Sequence, residues 1–189
     1  MASTKEIKAA NVLNFAQTAG ITGGDGQTLL SASHPTQNGI QSNVLATAAD
    51  LSETSLESIL INISDMKDDR GLRIAAQGMQ LVIPTAYQFT AERLLESQLR
   101  AGTADNDINA IKAGGYLPKG YHIMRRLTDP DAFFITTDVP DGLKHFTRSA
   151  MKKGMEGDFE TGNVRYKVRE RYSFGSVSYT HLTLPTKRI

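Results

Sequence analysis

The stretch from Val164 to Phe174 alternates. Val164, Tyr166, Val168, Tyr172 and Phe174 fall on one parity, and Arg165, Lys167, Arg169, Arg171 and Ser173 fall on the other. Successive side chains of a strand point to opposite faces, so this stretch reads as one long strand with an apolar face and a basic face. Glu170 alone breaks the apolar parity. Thr161-Gly-Asn supplies the turn that opens the strand. A strand this long needs cover on its apolar face, and the rest of the chain is expected to provide it.

With 189 residues the chain is long enough for one full core or two small lobes. Its hydrophobic fraction of 40% and charged fraction of 22% belong to an ordinary globular protein. No apolar run approaches the roughly 20 residues that span a bilayer, and the opening Met-Ala-Ser-Thr-Lys has no signal-peptide pattern, so no membrane partner is expected. The absence of Cys excludes disulfides and thiolate metal sites. His34, His122, His145 and His181 show no ligand-like spacing. A formal charge of +1 gives no global drive towards nucleic acid.

Val177–Thr186 is similar to an in-frame translation of a transposon-end adapter used in sequencing libraries, and the last thirteen residues, 177–189, are expected to stand outside the fold as an adapter-derived tail. Setting the tail aside removes Lys187 and Arg188 and no acid, leaving 19 basic residues against 20 acidic ones.

From the start of the chain, Ser3 and Glu6 have the spacing of a capping box, and Val12, Phe15, Ala16 and Ala19 follow at helical intervals. Gly20 and Gly23-Gly-Asp-Gly26 end that helix; the cluster lacks the Gly-Lys-Ser/Thr ending of a phosphate loop and reads as a turn. Thr28-Leu-Leu-Ser is a short strand candidate and Ser33–Gly39 a loop. Ser33 and His34 are not a catalytic pair, because neighbours on an extended chain point apart. Asp50 and Glu53 open a second helix whose buried stripe is Leu56, Ile59, Leu60 and Ile63. Gln80–Pro84 is an apolar strand. Thr85 or Thr90 opens a third helix with Ala91, Leu94, Leu95 and Leu99 on one face. Asp105-Asn-Asp-Ile-Asn109 lacks the Gly and the bidentate Glu of a calcium loop and reads as a polar turn. Strands are expected at Tyr121–Leu127 and Phe133–Thr137, a turn at Asp138–Gly142, and Leu143–Met151 is weakly patterned. The class is α+β, three helices first and then mostly strands.

No nucleophile elbow, His-Glu-x-x-His, Walker motif or Gly-x-Gly-x-x-Gly unit is present, and Asp138, Asp141, Asp158 and Glu160 sit in turns where acids are ordinary. The chain is therefore expected not to be an enzyme, with no catalytic, cofactor or metal residues.

Three stretches carry a resemblance: Ser33-His-Pro-Thr-Gln-Asn-Gly-Ile-Gln-Ser-Asn43 leading to Ala49–Glu57; Asp105–Asn109 with Leu127-Thr-Asp-Pro-Asp-Ala-Phe-Phe134; and Asp158–Gly175. Together they resemble the major capsid proteins of tailed bacteriophages, close to the Mu-like major head subunit group with the Hong Kong ninety-seven capsid fold. The resemblance implies a virion subunit, assembled in the host cytoplasm, with a peripheral domain and an axial domain. Residues 1–44 would be the end of the spine helix and the start of the peripheral domain, 45–145 the axial domain, and 146–176 the returning peripheral strand. It implies pentamers and hexamers that close an icosahedral shell around double-stranded DNA held without sequence specificity, alongside other capsid and portal proteins. Two departures stand out. The N-terminal arm and extended loop of the family are missing, and the Trp expected after Ser-Phe-Gly is absent, so the chain is expected to be a metagenomic fragment. The interaction residues expected from the strand are Arg165, Lys167, Arg169 and Arg171, paired with carboxylates such as Asp65, Asp68, Asp69, Glu156, Asp158 and Glu160. The alternative is a nucleic-acid-binding module that uses the same basic face.

Overall fold

A computed structural model describes residues 2–100, 107–139, 143–157, 160, 162–176 and 182–183. The central element is β3 (Gly78–Ile83), whose Leu81 and Ile83 are fully buried. It pairs in parallel with β4 (Tyr121–Ile123) and antiparallel with β5 (Phe134–Thr137), and β8 (Leu182–Thr183) joins the far side of β5, giving the order β4-β3-β5-β8. Two residues of the tail therefore lie in this sheet, Thr183 across from Ile135 and Leu182 across from Thr136. The remaining tail residues lie outside the described set. The expected strand Tyr121–Leu127 pairs only as far as Ile123, and Met124 then bonds back to Ile83 O before the chain turns.

One face of the sheet packs on α2 (Glu53–Ser64). Leu56, Ile59, Leu60 and Ile63 are its buried stripe, as the 3.6-residue period requires. The cap lies two residues beyond the expected one. Ser52 Oγ accepts the Ser55 N–H at 3.2 Å and Ser55 Oγ accepts the Ser52 N–H at 2.9 Å, a capping box built from two serines, while Asp50 contributes only its carbonyl to the Ser55 hydroxyl. A 3₁₀ turn at Thr85–Tyr87 leads into α3 (Gln88–Glu96), which buries Ala91 and Leu95. Leu99 lies beyond its end and is exposed, because Ser97 is already extended. The polar stretch read as a turn ends in a short helix, α4 (Ala110–Gly114). Asn109 Oδ1 accepts the N–H groups of Ile111 and Lys112, so its side chain is spent on capping. Asp105 and Asn106 lie outside the described residues.

The other face carries a second apolar cluster around Ala10, Ala16, Leu30, Val44, Val82, Met124 and Phe134. α1 (Ala2–Asn14) supplies Ala10 to it. This helix begins before Ser3 and ends short of Ala19, so Ser3 is not its cap, and Phe15, expected on the buried stripe, is 47% exposed. Asn14 pins the end: its amide donates to Arg126 O and accepts from Thr128 N, both at 3.1 Å. Thr28 forms only an isolated bridge with Thr22. The expected loop at 33–39 is instead a hairpin, β1 (His34–Thr36) and β2 (Gly39–Gln41), turned by Gln37-Asn38 with Gly39 at a φ of +122°.

The last large element is a separate two-stranded ribbon. Its strands are β6 (Leu143–Gly157) and β7 (Val164–Ser176), antiparallel and hydrogen-bonded to each other rather than to the four-stranded sheet. β7 is the alternating strand. β6 corrects the expectation of a short, weakly patterned segment. It contains register breaks between Thr147 and Ser149 and between Ser149 and Lys152, and each extra residue shifts the two-residue period, which erases alternation from its sequence.

Candidate interaction surface

The β7 strand of the ribbon is about 44 Å long, thirteen residues at strand rise, and its outer half projects beyond the body. At its root, His145, Tyr172 and Phe174 pack their rings with centroids 5.2 to 5.5 Å apart. Farther out the apolar parity is bare: Val168 is 63% exposed, Tyr166 79% and Met155, across from Tyr166, 70%. The expectation that the chain covers this face is corrected. Only the root is partly covered, Tyr172 being 37% and Phe174 36% exposed, because α1 reaches no farther than the root and the sheet lies elsewhere.

What holds the root is the residue that breaks the pattern. Glu170 pairs with Lys8 of α1, both side chains being mostly shielded, and Lys8 Nζ stands 4.7 Å from the centroid of the Tyr172 ring. Glu170 also lies opposite the bulged stretch of β6, since Arg171 faces Ser149 and Arg169 faces Lys152. Its misplaced parity was legible in the sequence; its partner Lys8, 162 residues away, was not. Between α1, the second apolar cluster and the ribbon root opens an apolar groove of about 620 Å³, lined by Val12, Phe15, Ile21, Met124, Tyr172 and Phe174 among others.

The four expected interaction residues, Arg165, Lys167, Arg169 and Arg171, do share one exposed face of β7. Across the ladder they meet Glu156, Gly154, Lys152 and Ser149 respectively. Of the described acids expected to balance them, Glu156 stands directly opposite one, Arg165, in the strand register. Asp65 is 3.1 Å from Arg73, Asp68 accepts the N–H groups of Arg70 and Leu72, and Asp69 accepts that of Gln37. Asp158 lies outside the described residues.

One buried polar pair escaped the sequence reading. His34 is 2% exposed, with Nδ1 2.6 Å from Asp25 Oδ2. Burial by itself pushes the Asp25 carboxyl up, but hydrogen bonds from His34 and the Gln27 N–H, together with the charge of the ring, hold it below the usual carboxylate range. The pair ties the 23–28 turn to β1. Among the described residues no group of three His, Cys, Asp or Glu side chains is placed to hold a metal ion, and no helix is long and apolar enough to cross a membrane.

The family model described as phage capsid protein matches residues 1–182. The chain belongs to this family. The match of this phage capsid protein reaches into the tail, to the first residue of β8. Among solved structures it is similar to the capsid of an empty GTA particle computed with C5 symmetry, at a TM-score of 0.52 and 10% identity over 97% of this chain and 62% of that one. That likeness concerns the fold. A virus-like particle from Pyrococcus furiosus aligns at a TM-score of 0.48 and 12% identity, covering 76% of this chain and 56% of that one. Mycobacterium phage Che8 aligns at 0.46 and 16%, covering 75% and 52%. The chain thus spans little more than half to three fifths of the length of these structures. No curated protein sequence matches it.

Proposed function

We propose that this phage capsid protein is the shell-building part of a major head subunit, close to the Mu-like group and with the Hong Kong ninety-seven fold. Its copies associate into pentamers and hexamers and close an icosahedral shell around double-stranded DNA. Its work is structural, not enzymatic. On this reading residues 45–145 form the axial domain, residues 1–44 and 146–176 belong to the peripheral one, and portal and other capsid proteins share the shell. The observation that carries the reading is the family match over residues 1–182.

The ribbon supports it on independent grounds. A two-stranded ribbon is marginal in water by itself; this one leaves Tyr166, Val168 and Met155 bare, and an apolar groove opens at its root. Surfaces of this kind are normally buried by neighbours in an assembly. A net charge of +1 suits a container that must not bind its cargo tightly. The full-length parent is expected to form rings or shells in negative-stain micrographs; a parent that stays monomeric at high concentration overturns the reading. The basic ladder of β7 favours one alternative, a nucleic-acid-binding module. Strong duplex binding by the chain, falling steeply with salt, would promote it.

A further inference from the structure

The two edges of the ribbon are not alike. Both register breaks lie in β6, while β7 runs from Val164 to Ser176 without an inserted residue. A bulge bends its strand and spoils the outer edge as a template for pairing, whereas an unbroken strand presents its backbone groups at regular spacing. Among the described residues β7 pairs only with β6, and its outer edge faces no other described strand.

The side chains along that edge specify what would fit. On one face, Lys167 has Gly154 across the ladder and Arg169 has Lys152, a like-charge pair that weakens the ribbon. On the other face Tyr166 and Val168 are bare. The imbalance extends to the whole ribbon: residues 143–176 hold eight Lys and Arg against four Asp and Glu, whereas residues 1–142 hold eleven against sixteen. A second copy of β7 does not answer this pattern, because antiparallel self-pairing would set two basic ladders side by side on one face.

We propose that the outer edge of β7 accepts, by strand addition, an extended segment of a partner chain in which acidic residues alternate with apolar ones. Its carboxylates would lie beside Lys167 and Arg169, and its apolar side chains beside Tyr166 and Val168. Backbone pairing supplies the attachment and the two-residue period supplies specificity, since a one-residue slip would present every side chain to the wrong face. The inference goes beyond the shell reading and does not depend on it.

The test uses the full chain and short fluorescent peptides, read by anisotropy. The probe alternates Glu with Val and Tyr. Three controls keep its length: the same residues in blocks, the same sequence N-methylated along one edge, and a version with Lys in place of Glu. The alternating acidic peptide is expected to bind at least about tenfold more tightly than each control. The double variant Lys167→Glu, Arg169→Glu should reverse the preference towards the Lys peptide. Both side chains are exposed, and an unchanged circular dichroism spectrum verifies the fold of the variant. Equal binding of the N-methylated peptide would reduce the contact to charge alone and overturn strand addition. Equal binding of the block peptide, no binding at all, or displacement of the probe by duplex DNA at lower concentration than by unlabelled peptide would overturn it too. If the parent still assembles after any of these results, the shell reading stands without this inference.

Discussion

Gly78 begins β3 beneath α2 and is buried. A Cβ there would lie 2.8 Å from Leu60 Cδ2 and 3.3 Å from both Ile135 Cγ2 and Leu117 Cδ2, three side chains of the main core. Leu60 would have to give way in a packed interior, so Gly78→Ala is expected to destabilise by about 1–3 kcal/mol in urea unfolding; a neutral result would show that Leu60 moves without cost. Asp25 makes a second prediction at this scale. Its folded-state carboxyl is held low, so the stability it contributes is complete above the unfolded value and is lost as the pH falls through the folded one. The melting temperatures of the wild type and Asp25→Asn should differ near neutrality and converge below about pH 4. A gap that persists in acid would mean that the carboxylate charge does not matter. Neither residue could be singled out from the sequence, because Asp25 sits among turn glycines and Gly78 is explained only by what packs over it.

Elements were legible where one period ran uninterrupted. The stripe Leu56, Ile59, Leu60, Ile63 gave α2, and the apolar run gave β3. Their boundaries were less legible, because caps are settled by local competition: Ser52 and Ser55 satisfy each other, and Asp50 is left with a carbonyl role. α4 was missed because its single buried residue, Ile111, leaves no pattern to read. β6 was missed for the opposite reason, since two phase shifts cancel the pattern of a fifteen-residue strand. The edge strand β8 offers a prediction. Among the described residues two pairs join it to β5, so deletion of residues 177–189 is expected to lower stability by less than about 1 kcal/mol. A larger loss in thermal or urea unfolding would make the tail an integral part of the sheet and count against its adapter origin.

At the scale of the whole molecule, the amphipathic strand was legible but its surroundings were not. The alternation of β7 correctly distinguished an apolar from a basic face, yet it could not say that the apolar face would stay bare beyond Tyr172. Sequence patterns register a face that needs cover; they do not record whether the cover comes from the same chain. The body and the ribbon meet through α1, where Lys8 holds Glu170 and lies over Tyr172. That joint lies within β7, about 20 Å from its far end, six residues from Glu170 to Val164 at strand rise, which makes the outer ribbon a lever. A rotation of about 12° at the joint would swing the far end, near Gly157 and Val164, through about 4 Å, roughly the spacing of one strand from the next. Small changes in the seating of α1 are thereby magnified into a choice of which position the tip can reach.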